Sequence, residues 1–113
     1  MINWPGVLKH ADDPELDYFE NLGEFANSSA NNLSVGDERA HFIDSQGQVY
    51  DLRQTESGAI RLEDTGERRT LEQVLGLVKA HAAQAEYCCV AKLWAPTIRD
   101  AISIVRSVSE ENR

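Results

Sequence analysis

The apolar residues of this chain change their spacing after residue 69, and that change constrains the fold more than any single motif. Between Arg39 and Glu63 they recur at every second position, the period of a strand; from Thr70 to Glu86, and again from Pro96 or Thr97 to Glu110, they recur about every 3.6 residues, the period of a helix. Ala40, Phe42 and Asp44 alternate with Arg39, His41 and Ile43. Ser45-Gln46-Gly47 then turns the chain, and Val49, Tyr50 and Leu52 return it. A further strand is expected from Ala59 to Glu63, after a turn at Glu56-Ser57-Gly58, with Asp64-Thr65-Gly66 ending it.

The helical part begins at Thr70, which with Gln73 matches a capping box, each side chain accepting from the other residue's backbone amide. Leu71, Val74, Leu75, Val78 and Ala82 then form one apolar stripe. A last helix, from Pro96 or Thr97 to Glu110, carries a second stripe of Ile98, Ala101, Ile102, Val105 and Val108.

Upstream, two apolar pieces flank the turn-rich Ala11-Asp12-Asp13-Pro14-Glu15, which predicts an N-terminal hairpin with Leu8 and Trp4 facing Tyr18 or Phe19. Leu22 to Ala26 reads as a helical turn and Asn27 to Asn32 as a mobile loop. The expected order is strand, strand, short helix, three strands, helix, strand, helix. Strands gathered toward the N-terminus and helices toward the C-terminus give an α+β fold. Its mostly antiparallel sheet has about five or six strands, including two N-terminal hairpins, with both C-terminal helices packed on one face.

With 113 residues, 42% of them hydrophobic, one core is expected, so residues 1–113 read as a single domain that needs no disulfide or metal to fold. No apolar run approaches the roughly 20 residues that span a bilayer. The opening residues have no secretory pattern, which sets the expectation of a cytoplasmic protein with reduced thiols.

Cys88 and Cys89 lie in Tyr87 to Trp94, an apolar run read here as an inner strand. Adjacent strand residues point to opposite faces, which disfavours both a disulfide between these two and a shared metal, so they read as buried structural thiols. His10, His41 and His81 stand at no recognisable catalytic spacing from a nucleophile. Asp13, Glu15, Asp17, Phe19, Asn21 and Glu24 fall at the ligand positions of a calcium-binding EF-hand loop. The match fails at Tyr18, where that loop requires glycine. No metal and no cofactor is expected.

Charge gives the most direct functional indication. Residues 1–52 hold ten acidic side chains against Lys9 and Arg39, while residues 53–113 hold nine against nine, so the whole net charge of −8 sits in the first half. Such a field repels nucleic-acid backbones and anionic lipids and attracts basic partners or cations. The resulting expectation is a non-enzymatic binding or accessory protein. Its contact surface is the N-terminal hairpin, with Asp12, Asp13, Glu15, Asp17, Tyr18, Glu20 and Glu24. Two alternatives stand beside it: a small enzyme or ligand-binding domain whose site joins His41, Tyr50 and His81, and a homodimer built on a sheet edge or on the apolar flank of Ile104 and Val108.

Met1-Ile2-Asn3-Trp4-Pro5, the acidic turn Asp12-Asp13-Pro14-Glu15-Leu16 and Asp44-Ser45-Gln46-Gly47-Gln48-Val49-Tyr50 together resemble a small family of uncharacterised gammaproteobacterial proteins, a domain of unknown function. The resemblance covers about the first half of the chain. It implies a bacterial, cytoplasmic, single-domain protein and brings no catalytic residue with it.

Overall fold

The computed structural model describes residues 2–10, 14–31, 40–54, 60–86 and 90–111. Five strands form one antiparallel sheet: β1 (Gly6–Lys9), β2 (Leu16–Phe19), β3 (His41–Ile43), β4 (Gln48–Gln54) and β5 (Ile60–Arg68). Their order across the sheet is β2-β1-β3-β4-β5. Helix α1 (Leu22–Asn31) follows β2, and α2 (Leu71–Gln84), a short 3-10 turn (Val90–Lys92) and α3 (Ile98–Glu111) complete the chain. The α+β class, the two N-terminal hairpins and the two C-terminal helices on one face are as the sequence predicts.

The strand period of two sorts the core into two layers. Val7, Leu16, Ile43 and Val49 point to one face, where they pack with Val74 and Val78 of α2 and Ala101, Ile102 and Val105 of α3. Leu8, Phe19, Phe42 and Tyr50 point to the other, where Phe25 of α1 completes a second cluster. That second cluster is aromatic. Phe25 meets Phe19 edge-on at 5.3 Å and Phe42 at 5.7 Å, and the Trp4 ring lies 5.1 Å from Phe42. Trp4 is thus half-buried, while Trp94 is 70% exposed.

Local chemistry explains the helix starts. Thr70 and Gln73 form the reciprocal capping box of α2. At α3, the Thr97 hydroxyl accepts from the Asp100 amide at 3.1 Å. At α1, Asn21 accepts from the Glu24 amide at 2.9 Å.

Three expectations are corrected. Residues 27–31 are the second half of α1 and not a loop, because the Asn21 cap starts a helix that Phe25 anchors in the aromatic cluster. The described part of the strand expected over Tyr87 to Trp94 is not a strand: Val90–Lys92 is a 3-10 turn, and Leu93 donates to Val90 O. Residues 87–89, with both cysteines, lie outside the described residues, as do Asp12 and Asp13. Finally, β5 does not stop at Asp64-Thr65-Gly66 but runs on to Arg68. Its register against β4 shifts there, pairing Tyr50 with Asp64 but Gln48 with Arg68, so the segment is a bulge and not a terminator.

Gly47 is the most constrained position in the β3–β4 turn. Its φ is +80°, and a Cβ there would collide with the carbonyl oxygen of Arg69, whose own amide donates to Gly47 O at 2.7 Å. Gly47→Ala should therefore destabilise the protein by about 1–3 kcal/mol or more in urea unfolding. A loss below half a kilocalorie would show that the turn and Arg69 are not locked together.

Candidate functional site

The acidic surface predicted from sequence is built on β2, an edge strand, and on the start of α1. Glu15, Glu20 and Glu24 are exposed, whereas Asp17 and Tyr18 are half-buried. The pleat splits these residues between faces. Asp17 shares the aromatic side with His10, whose Nε2 lies 3.4 Å from its Oδ2. Tyr18 lies on the helical side, where its hydroxyl donates to Glu20 Oε2, and the same oxygen accepts from Arg106 Nη1 of α3 at 3.3 Å. Glu24 turns back to accept the Glu20 amide at 3.0 Å.

Two of these carboxylates are therefore structural as well as charged. Glu24 closes the entry to α1, and Glu20 ties the edge strand to α3. β2 is extended where an EF-hand loop would have to wrap around its ion. Among the described residues no group of three His, Cys, Asp or Glu side chains could hold a metal ion, and no helix is long and apolar enough to cross a membrane.

His81 has a role that sequence reading missed. It is only 4% exposed on α2, and its Nδ1 accepts the Leu16 amide at 2.9 Å. That amide points away from β1, so a helix side chain occupies part of the outer edge of β2. His41 lies on β3 with its Nδ1 3.0 Å from Asp51 Oδ1. Tyr50 faces the opposite side of the sheet, among the aromatics. His41, Tyr50 and His81 thus do not converge, and the enzyme or ligand-binding site proposed from them is not formed.

The most polar buried cluster surrounds Asp44, which is fully buried. Its Oδ1 accepts the amides of Gln46 and Gln48 at 2.9 and 3.0 Å, and its Oδ2 accepts the Asn3 amide at 3.1 Å and the Tyr50 hydroxyl at 3.2 Å. The neighbouring Ser45 hydroxyl donates to Pro5 O at 2.6 Å. One signal was legible in advance: Asp44 continues the alternation of Ala40 and Phe42, a charge placed in register with an apolar face. This arrangement stabilises a turn, because each carboxylate lone pair is already engaged by a neighbour.

Both described tyrosines hold their protons tightly. Tyr50 is pushed up to about 12, first by burial and then by the charge of Asp44 and the hydrogen bond to it. Tyr18 is also raised to about 12, by burial and then by Glu20, with Arg106 opposing.

These residues form an edge-strand surface on a five-stranded α+β sheet. The chain belongs to DUF4144, a family described as a protein structure with unknown function, whose sequence model matches residues 4–105. The resemblance first seen in the opening half therefore extends over most of the chain. A solved structure, described as the NMR structure of the protein from Shewanella amazonensis, is similar with a TM-score of 0.64 and 22% identity. The match covers 94% of this chain and 89% of that one, and it supports the fold. No curated protein matches the sequence.

Because the folded tyrosines bind their protons more tightly than an unfolded tyrosine at its ordinary value of 10, their contribution to stability is complete below pH 10. It is lost as pH rises toward about 12. Tyrosinate absorbance followed alongside the folded circular dichroism signal should show at least two of the three tyrosines ionising together with unfolding. Ionisation of all three near 10 with the fold intact would contradict the Tyr50–Asp44 hydrogen bond.

Proposed function

We propose that this protein is a non-enzymatic binding or accessory protein of the bacterial cytoplasm, whose acidic N-terminal surface docks a basic protein partner. The observation that carries this reading is the placement of Glu15, Glu20 and Glu24 as exposed side chains around an edge strand in the half of the chain that holds the entire charge of −8. Carboxylates in this position accelerate encounter with a cationic surface and disfavour anionic ones.

Apolar contact area is present in the same place. Leu22, the first residue of α1, is 60% exposed between Glu20 and Glu24. Tyr18 contributes the edge of its ring beside Glu20. These two side chains are the anchors of the contact, and the carboxylates steer the partner to them. Trp4 is not an anchor, since its ring is engaged with Phe42 and Phe25.

The test is affinity capture from lysate of the source bacterium at low and high salt. Its control replaces Asp12, Asp13 and Asp17 by Asn and Glu15, Glu20 and Glu24 by Gln, which keeps the acceptor that Glu24 offers to the α1 entry. A partner retained by the unaltered protein should be released by salt, and the neutralised variant should bind it at least about tenfold more weakly. Equal binding with an unchanged salt dependence would place the contact elsewhere.

A further inference from the structure

The second sheet edge carries a charge pattern that the isolated chain leaves unresolved. β5 pairs with β4 so that Arg53 stands opposite Arg61 and Asp51 stands opposite Glu63, while Leu52 stands opposite Leu62. Like charges directly across a strand pair repel, and here two such pairs are consecutive on one face. Part of the strain is relieved within the chain: Arg53 reaches diagonally to Glu63, with Nε 3.0 Å from Oε2, and Asp51 is met by His41 Nδ1 at 3.0 Å and by Arg53 Nη2 at 3.9 Å. Arg61, exposed, makes no such pairing among the described residues.

We propose that this edge pairs with the same edge of a second copy of the chain, antiparallel and with Leu62 on the two-fold axis. In that register Arg61 of each copy stands opposite Glu63 of the other. Across the four strands one row then reads Arg53, Arg61, Glu63, Asp51, and its symmetry mate reads the reverse. Every like-charge pair within a copy gains an opposite pair across the axis. On the other face the half-buried Leu62 meets its own counterpart, so the row Leu52, Leu62, Leu62, Leu52 extends the apolar layer around the aromatic cluster. Neither a shift by one residue nor a shift by two keeps both features, because the charges and the leucine alternate along β5.

The bulge sets the length of this contact. Beyond Asp64 the Gly66 amide donates to Asp64 Oδ1 at 2.7 Å and the Glu67 amide to Thr65 Oγ1 at 3.1 Å, so local side chains already occupy those donors. Gly66 at φ +81° turns the strand there. Pairing therefore does not run past Asp64, which makes a small interface whose population rises with concentration.

Sedimentation velocity from micromolar to millimolar protein tests this, using the full chain and the variants Arg61→Glu and Glu63→Arg. The unaltered protein should dimerise with concentration, and each variant alone should self-associate at least about tenfold more weakly, because like charges then face each other across the axis. An equimolar mixture of the two variants should regain dimerisation, since the Glu of one meets the Arg of the other. That recovery also shows that both variants fold. A monomer at every concentration, unimpaired self-association of either variant, or a mixture no better than its components would each overturn the proposal.

Discussion

The fold depends on a buried carboxylate that accepts hydrogen bonds from two separate parts of the backbone and from a side chain of β4. Asp44 binds the amides of Gln46 and Gln48 within its own turn, the amide of Asn3 before β1, and the hydroxyl of Tyr50 on β4. A buried charge is tolerated only when its lone pairs are satisfied, and leaving one such donor without its acceptor costs about 1–3 kcal/mol. The turn thus organises more than a hairpin. It holds the N-terminal strand beside β3 and, through Gly47 and Arg69, places the chain at the start of α2.

Around this centre the sheet divides the core into layers of different character. The aliphatic side is closed by two amphipathic helices of the kind that bury a continuous stripe. The aromatic side is closed by α1, which contributes Phe25, and by Trp4. The two edges are also treated differently. His81 blocks part of β2, whereas on β5 only the segment beyond Asp64 is bulged and self-satisfied. The surface proposed for a cationic partner and the one proposed for a second copy therefore lie on opposite edges of one sheet.

Features with local causes were legible in the sequence. The capping box at Thr70 and Gln73, the Ser45-Gln46-Gly47 turn and the stripes of α2 and α3 all rest on neighbours within a few residues. The errors fell where a distant partner or a competing reading decided the outcome. Apart from Ala30, Asn27 to Asn31 are weak helix formers, yet Asn21 and Glu24 carry a capping signal, and Phe25 of the same helix packs on Phe19 and Phe42 of the sheet. Residues 90–94 belong to a short apolar run, and such a run does not distinguish a strand from a compact turn by composition. Of the candidate site, the acidic residues were visible as charge. Their division between faces was not, because it follows from the pairing of Leu8 with Asp17 and Val7 with Tyr18. The role of His81 was equally hidden, since its partner is a backbone amide of β2.

The strand order has a kinetic consequence. Every pairing in the sheet joins consecutive strands except β1 with β3, so the molecule consists of two local hairpin units joined along one seam. Local hairpins close quickly, whereas a seam between distant segments must first overcome the entropy of the intervening loop. Asn3, Pro5, Asp44 and Ser45 are the bonds across that seam. If the seam closes after the hairpins, weakening it should mainly speed unfolding, while weakening β4 against β5 should slow folding, a division that stopped-flow measurements on Asn3→Pro and Thr65→Ala would reveal or refute. On this view the acidic hairpin, which hangs from the seam through β1, is the last part of the sheet to gain its protection and the first to lose it.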